Sequence, residues 1–201
     1  MNNLKILNIN CRSVANKKVE LDNLIHSTNA DIVLGTESWL NSSIRSSEIF
    51  PANMNVFRRD KLGSNGGGVF IAISDKYIVS HQPQLETNCE ITWVKLETPG
   101  NKSKYIGVFY RAHENDSDSL DNLSASLEKL KNTNSNIYIE GDFNKPGIDW
   151  NVGITKINSG FKIQHNRFLE ILNDNNLCQI VKEPTRGSNF LICSSQTIHH
   201  L

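Results

Sequence analysis

The sequence predicts an α/β sandwich. Three observations predict it: short apolar runs of strand length outnumber the helical segments, a strand–helix–strand unit opens the chain, and two later segments repeat apolar residues as a helix does when it packs on a sheet. The length of 201 residues fits a single domain with one continuous architecture.

The opening unit combines two strands and a helix. The segment Leu4–Asn10 is a short apolar run, and Asp31–Thr36 is a second one. Between them, Lys17–Ser27 spaces its aliphatic residues as one face of a helix does. The sequence therefore predicts a β-α-β arrangement at this end of the chain.

A glycine-rich turn precedes the next predicted strand, Val69–Ser74. Three consecutive glycines, Gly66 to Gly68, suggest a phosphate-binding loop, but no Gly-Lys-Ser/Thr follows them and a strand comes next, so a hairpin turn is favoured. Further apolar runs rich in β-branched and aromatic residues predict the strands Ile91–Leu96, Tyr105–Tyr110 and Ile137–Glu140.

Two segments have helical periodicity. Leucines recur at helical spacing within Ser119–Leu130, and large apolar residues do so within Gly160–Asn173. Each segment therefore presents one apolar stripe that can cover a sheet.

Composition excludes several classes of protein. The 21 basic residues balance the 21 acidic ones, so an anionic partner has to be bound by a local basic patch. No signal-like N-terminus and no apolar run of membrane-spanning length occurs, which predicts a soluble protein that is not secreted and has no membrane partner. The four cysteines lie far apart without a Cys-x-x-Cys pair, so we expect reduced thiols and a nuclear or cytoplasmic location.

Polar residues end several of the predicted strands. They are Asn8, Asn10, Glu37, Tyr110, Asp142 and Asn144. Each one alone has an ordinary explanation, such as a turn-forming Asn, a solvated Glu or a half-buried Tyr. Together they provide oxygen ligands for a hard cation such as Mg²⁺, which needs one or two carboxylates and retains its waters.

Seven short motifs resemble one protein family. They are, in order, Asn8-Ile9-Asn10, Gly35-Thr36-Glu37-Ser38, Gly66-Gly67-Gly68-Val69, Phe109-Tyr110-Arg111, Gly141-Asp142-Phe143-Asn144, Gly147-Ile148-Asp149-Trp150 and Glu183-Pro184-Thr185-Arg186-Gly187-Ser188. This set resembles the endonuclease domain of non-LTR retrotransposons, a branch of the endonuclease/exonuclease/phosphatase superfamily. The resemblance covers residues 4 to 190 and implies a four-layer sandwich of two mixed β-sheets flanked by helices.

The resemblance also implies a role for each site residue. Glu37 and Asn10 would hold the metal, Mg²⁺ or alternatively Mn²⁺, and Asn8 would support the metal and phosphate positions. Asp142 would orient or deprotonate the attacking water. Asn144 would bond the scissile phosphate or fix Asp142, and Tyr110 would donate to a phosphate oxygen. The implied partners are DNA and a reverse transcriptase domain in the same polypeptide.

Basic residues near these motifs are candidates for a DNA-binding surface. They are Arg12, Arg58, Arg59 and Arg111, with Lys17, Lys18 and Lys61. The simpler interpretation is that exposed Lys and Arg confer solubility, and that Arg58 and Arg59 pair with Asp60 along a strand edge.

The last eleven residues, 191–201, depart from the family. The family continues with an Asp-containing strand and ends in an Asp-His pair, and neither occurs here. Codons can be chosen for this segment so that a one-base slip restores Asp-Leu-Phe-Phe-Thr-Asn-Asp. The hypothesis is a domain over residues 1–190, truncated at its C-terminus, followed by an out-of-frame tail, with impaired catalysis.

Three functions remain open from the sequence. The first is a metal-dependent DNA endonuclease that nicks target DNA for primed reverse transcription. The second is a phosphoesterase of the same superfamily that acts on inositol phosphates or lipids. The third is an inactive retroelement fragment with at most weak DNA binding.

Overall fold

Two β-sheets form the centre of the molecule. The computed structural model describes residues 4–61, 63, 66–181 and 192–197, the last segment as backbone alone. The strands are β1 (Ile6–Asn10), β2 (Ile32–Thr36), β3 (Met54–Arg59), β4 (Val69–Ser74), β5 (Val79–His81), β6 (Glu90–Leu96), β7 (Lys104–Tyr110), β8 (Asn136–Asp142), β9 (Ile148–Asp149), β10 (Ile154–Thr155), β11 (Leu177–Gln179) and β12 (Ile192–Thr197). The helices are α1 (Lys18–Thr28), α2 (Ser46–Ile49), α3 (Asp118–Glu128) and α4 (Lys162–Asp174), and a 3₁₀ turn spans Pro83–Leu85.

Both large sheets are mixed. One has the strand order β1-β2-β4-β3 and the other β11-β12-β8-β7-β6-β5, while β9 and β10 form a small separate ribbon. In the first sheet β1 runs parallel to β2, and in the second β7 runs parallel to β8. The other strand pairs of the described residues are antiparallel.

Three apolar layers hold four layers of secondary structure together. Between the sheets, Leu34 and Ile71 of the first sheet share a fully buried cluster with Val94 and Val108 of the second. Outside the first sheet α1 buries Leu21, and outside the second sheet the helices α3 and α4 cover a separate cluster. The sandwich of two mixed sheets flanked by helices, predicted from the sequence, is therefore confirmed.

The helices follow from their apolar spacing. Leu21 and Ile25 of α1 lie four residues apart and are both buried. The helix ends where Asn29 adopts a left-handed conformation (φ 51°) and its N–H bonds the carbonyl oxygen of His26. In α3 the buried residues include Leu120, Leu123 and Leu127, which confirms the predicted leucine stripe.

Some elements differ from the prediction. Strand β8 continues through Asp142, which the sequence placed after the strand. The elements β3, β5, β9, β10, β11, β12 and α2 were not among those predicted. The glycine segment lies in a hairpin, since β3 and β4 pair antiparallel on either side of it, but the nine-residue connection 60–68 is longer than the tight turn that was predicted. Within the described ranges no helix has the length and apolarity needed to cross a bilayer.

The predicted tail is only partly described. Residues 182–191, which include the Glu183 to Ser188 motif, and residues 198–201 lie outside the described residues. Backbone of β12 pairs antiparallel with β8 on one side and with β11 on the other. The boundary at residue 190 and the out-of-frame origin of the tail stay predictions.

Candidate active site

The predicted site residues meet at one edge of the sandwich. Asn10 ends β1, Glu37 follows β2, and Tyr110 and Asp142 end β7 and β8. Within each parallel pair the strands end level with each other, because Asn10 pairs with Thr36 and Tyr110 pairs with Asp142. The carboxyl ends of two strands from each sheet therefore face a common cleft.

The amide of Asn10 joins the two sheets. Its Nδ2 donates to Glu37 Oε1 at 2.7 Å and to Asp142 Oδ2 at 3.1 Å. One amide nitrogen thus holds two carboxylates that come from opposite sheets. Charge-assisted hydrogen bonds of this kind offset part of the repulsion between the two acids.

Glu37 is held by its backbone in a left-handed conformation, with φ 51°. Its carbonyl oxygen accepts the N–H of Ser13 at 2.9 Å, and the next residue, Ser38, donates its N–H to the Gly68 carbonyl oxygen at 3.1 Å. No Lys, Arg or His of the described residues forms an ion pair with the Glu37 carboxylate. The half-buried carboxylate is therefore not paired with a cation of the described residues.

Asn144 fixes Asp142 through its backbone. Its N–H donates to Asp142 Oδ1 at 3.1 Å, and its φ of 47° is again left-handed. Its side-chain Nδ2 donates to the carbonyl oxygen of Arg111 at 2.6 Å. Two roles were expected for Asn144, a bond to the scissile phosphate or fixation of Asp142. The structure contains the contact with Asp142, while the side-chain nitrogen is bonded to the Arg111 carbonyl oxygen.

Tyr110 is nearly buried beside the two carboxylates. Burial raises the pKa of its phenol, and the charges of Glu37, Asp142 and Glu90 raise that pKa further, together with a hydrogen bond to Glu37. A phenol with a raised pKa keeps its proton at neutral pH. Tyr110 can therefore act as a hydrogen-bond donor at the cleft.

Three buried amide atoms in β1 have no hydrogen-bond partner among the residues that the structure describes. They are Asn8 Nδ2, Asn8 Oδ1 and Asn10 Oδ1. Because side chains two apart on a strand lie on the same face, Asn8 and Asn10 face the same side of β1. Buried polar atoms are nearly always satisfied, so this orphaned set indicates a place for a ligand, an ion or water.

A hard divalent cation fits this donor set. No three His, Cys, Asp or Glu side chains cluster as a metal group within the described parts of the chain. A magnesium site requires only one or two carboxylates and fills its other positions with water and substrate oxygens. The Glu37 carboxylate with the orphaned Asn10 Oδ1 meets that requirement, and the absence of thiolate and imidazole ligands from this pair does not suit zinc.

The four arginines predicted to bind DNA have different environments. Arg12 is exposed beside the cleft, whereas Arg58 bonds Asp60 at 2.9 Å and the Asn41 carbonyl oxygen at 2.7 Å. The pairing of Arg58 with Asp60 along the strand edge is thus confirmed. Arg59 is partly exposed, and its guanidinium lies 3.7 Å from Glu86.

Arg111 was predicted to belong to the basic DNA-binding surface, and this prediction is wrong. Its side chain is fully buried, and its guanidinium donates to the carbonyl oxygens of Glu114, Asp116 and Phe143. A buried guanidinium that is bonded to three carbonyl oxygens cannot reach a phosphate in solution. Arg111 is therefore a structural residue that supports the loops behind the site.

Glu90 is a site residue that the sequence reasoning missed. It pairs with Tyr110 across β6 and β7, accepts the Gly68 N–H, and lies 3.0 Å from Lys61 Nζ. The sequence predicted site residues only at the ends of strands. Because β6 runs antiparallel to β7, the start of β6 meets the same edge, and a charged residue opening an apolar strand is the signal that could have found it.

Comparison with solved structures identifies the fold. The endonuclease domain of TRAS1, a telomere-specific non-LTR retrotransposon, superposes with a TM-score of 0.67 at 17% identity, covering 96% of this chain and 83% of that one. The 3′ phosphatase NExo from Neisseria, bound to a product DNA hairpin, gives 0.66 at 14%, covering 97% and 87%. The human nocturnin catalytic domain gives 0.68 at 14%, covering 98% and 82%.

These similarities establish the architecture. No protein-family model and no curated protein sequence matches the chain. The chain shares its fold with these three structures, one of which is a retrotransposon endonuclease domain, as the motifs predicted. At identities of 14 to 17% the superposition concerns the fold, and the chemistry has to be argued from the site.

Proposed function

We propose that this chain is a divalent-metal-dependent DNA endonuclease module of a non-LTR retrotransposon, which nicks target DNA by hydrolysing a phosphodiester. The observation that carries the proposal is the Asn10 amide that binds Glu37 and Asp142 beside the protonated phenol of Tyr110. The similarity to the TRAS1 endonuclease domain supports the retrotransposon assignment. The same resemblance suggests a reverse transcriptase domain as the module's natural partner.

Asp142 is the group that prepares the nucleophile. Hydrogen bonds from Asn144 N–H and Asn10 Nδ2 fix the rotamer of its carboxylate, one to each oxygen. A fixed carboxylate orients a water molecule and accepts its proton as the water oxygen attacks phosphorus. The new O–P bond forms as the bond from phosphorus to the 3′ oxygen breaks, and that oxygen takes up a proton to leave a 3′-hydroxyl.

Tyr110 and the metal ligands stabilise the negative charge that develops on the phosphate in the transition state. Tyr110 retains its proton because its pKa is raised, so it donates to a non-bridging oxygen. Glu37 and Asn10 Oδ1 would hold Mg²⁺, with Asn8 beside them. When bound, the cation supplies positive charge against the phosphoryl oxygens and makes bound water more acidic.

Plasmid nicking tests the proposal. Conversion of supercoiled to open-circular plasmid is measured with Mg²⁺, with Mn²⁺ and with a chelator, for the wild type and for Glu37→Gln and Asp142→Asn. Each substitution should lower the rate about 10²-fold or more. The matched control is Glu97→Gln, because Glu97 pairs with Lys95 and lines the cavity at the opposite edge. Nicking that survives both the chelator and Glu37→Gln would contradict the proposal.

A phosphomonoesterase is the second candidate. It is favoured by the similarity to NExo, a 3′ phosphatase. Release of phosphate from an oligonucleotide with a 3′-phosphate, compared with plasmid nicking by the same preparation, separates the two activities. Metal-insensitive DNA binding without turnover on either substrate would instead identify an inactive DNA-binding fragment.

A further inference from the structure

Trp39 has an unusual place for an indole. It follows Glu37 by two residues, and 44% of it is exposed, whereas Trp93 is fully buried. An exposed tryptophan forgoes the burial that normally stabilises so large an apolar side chain. Its position therefore requires an explanation other than packing of the core.

The backbone around Trp39 is strained. Its φ of 55° is left-handed, which is costly for a bulky residue. Among the described residues the other non-glycine positive φ values fall into two groups. Asn29 and Asn176 follow helices, while the remaining residues lie in loops after strands at the cleft, namely Arg12, Ser13, Glu37 and Asn144. Strained residues of this kind cluster at functional sites.

Backbone hydrogen bonds fix this segment at the rim. Trp39 N–H donates to the Gly67 carbonyl oxygen at 3.0 Å, and Val14 N–H donates to the Ser38 carbonyl oxygen at 3.0 Å. A Cβ built on Gly66 would lie 3.7 Å from Trp39 Nε1, so the glycine turn passes close to one edge of the indole. The indole is thus held in place by backbone contacts while much of it faces solvent.

The charges around the indole explain why an apolar contact would matter there. The cleft contains the acidic residues Glu37, Asp142 and Glu90, which repel DNA phosphates, and the basic residue Lys61 is already paired with Glu90. Base–aromatic stacking does not depend on charge, and it contributes about an order of magnitude in affinity for each unpaired base that stacks on the ring. An exposed Arg12 on the neighbouring loop adds a cation for the backbone phosphate.

We infer that Trp39 stacks on a nucleobase adjacent to the scissile phosphate and so helps to position DNA in the cleft. The inference rests on the proposed function, because it takes DNA as the substrate. Trp39 contributes to substrate binding rather than to the chemical step. Phenylalanine retains an aromatic face at this position, and alanine does not.

Fluorescence titration and nicking kinetics test this contact separately. A short duplex should quench the tryptophan emission of the wild type, and Trp39→Phe should abolish most of that quenching. In nicking assays Trp39→Ala should raise KM about 10-fold with little change in kcat, while Trp39→Phe stays close to the wild type. The matched control is Ile78→Ala, an exposed apolar residue beyond the far end of β4.

A duplex with an abasic nucleotide beside the scissile position tests whether Trp39 contacts a base. The wild type should bind it about 10-fold more weakly than the intact duplex, and Trp39→Ala should bind both equally. Quenching without any cleavage would support the Trp39 contact while contradicting the endonuclease. Two results would overturn the stacking role and indicate that Trp39 contacts protein instead. One is cleavage by Trp39→Ala with an unchanged KM. The other is a loss of affinity in Trp39→Ala, relative to the wild type, that is as large for the abasic duplex as for the intact one.

Discussion

The side chain of Asn144 donates a 2.6 Å hydrogen bond to the carbonyl oxygen of Arg111. This bond ties the loop after β8 to the loop after β7, so the two site residues at the strand ends, Asp142 and Tyr110, share one support. The Arg111 guanidinium strengthens the support by bonding three further carbonyls, one of them from Phe143 in the site loop itself.

Arg111→Met should therefore destabilise the fold strongly. The substitution removes the guanidinium from a fully buried position and with it the donors to three carbonyl oxygens, one of them in buried Phe143, so we expect the free energy of unfolding to fall by about 3 kcal/mol or more. Arg111→Lys keeps the charge but not the planar fork, and should lose an intermediate amount. Urea denaturation followed by circular dichroism measures both. The exposed Arg12→Met is the control and should stay within about 0.5 kcal/mol of the wild type; an Arg111→Met variant as stable as that control would refute the structural role.

Asn10→Asp should make stability depend on a divalent cation. The new carboxylate replaces an amide that donates to Glu37 and Asp142, so three negative charges would meet at the site. In a chelator at low ionic strength we expect a loss of about 2 kcal/mol, largely recovered by millimolar Mg²⁺. Thermal melting with and without Mg²⁺ measures this. Asn41→Asp, which changes an exposed residue, should show no such recovery, and equal melting temperatures for Asn10→Asp and the wild type in chelator would contradict the prediction.

Most of the fold was predictable because its strands are nearly continuous apolar runs. Strand β4 is buried along five consecutive residues, and such a continuous apolar run can be recognised in the sequence. Strand β3 was missed because it is only partly buried and ends in Arg58 and Arg59, so neither alternation nor an apolar run marks it. Short edge strands such as β5 carry even less signal.

Only the site residues that lie near the ends of predicted strands or within a recognisable motif could be predicted from the sequence. Glu37, Tyr110 and Asp142 were identified because each ends a predicted strand or follows it within two residues. The burial of Arg111 was not predictable, because its partners are backbone carbonyls, which have no sequence signature. Nor was Glu90, whose approach to Tyr110 depends on the register between β6 and β7.

Gly141→Ala should be among the most damaging single substitutions in the chain. Gly141 has φ 137°, and a Cβ there would lie 1.9 Å from the Phe109 carbonyl oxygen in the neighbouring strand. The methyl group forces β7 and β8 apart next to Asp142, so we expect a loss of more than about 3 kcal/mol or insoluble expression. Gly153→Ala is the matched control. It has φ 69° but open space around it, so only backbone strain of about 1 kcal/mol should appear. Similar melting temperatures for the two variants would contradict the steric argument.

The buried imidazole of His165 should make the fold sensitive to acid. Burial, and after it the nearby positive charges of Lys145 and Arg111, lower the pKa of His165 to about 4. Its Nδ1 lies 2.8 Å from Ser159 Oγ, and its Nε2 lies 3.6 Å from a Glu114 carboxylate oxygen.

The sign of the effect follows from proton binding. An unfolded histidine has a pKa of about 6.5, so between that pH and about 4 the unfolded chain binds more protons than the native one. The stability that the neutral imidazole contributes is complete above pH 6.5 and is lost as the pH falls towards 4. From pH 7 to pH 4.5 the wild type should lose about 2 kcal/mol more than His165→Gln, as measured by urea denaturation at each pH. Removing the exposed His26 by His26→Gln controls for the loss of an imidazole as such. Parallel pH profiles for the wild type and His165→Gln would show that another group, such as a buried carboxylate, governs acid unfolding.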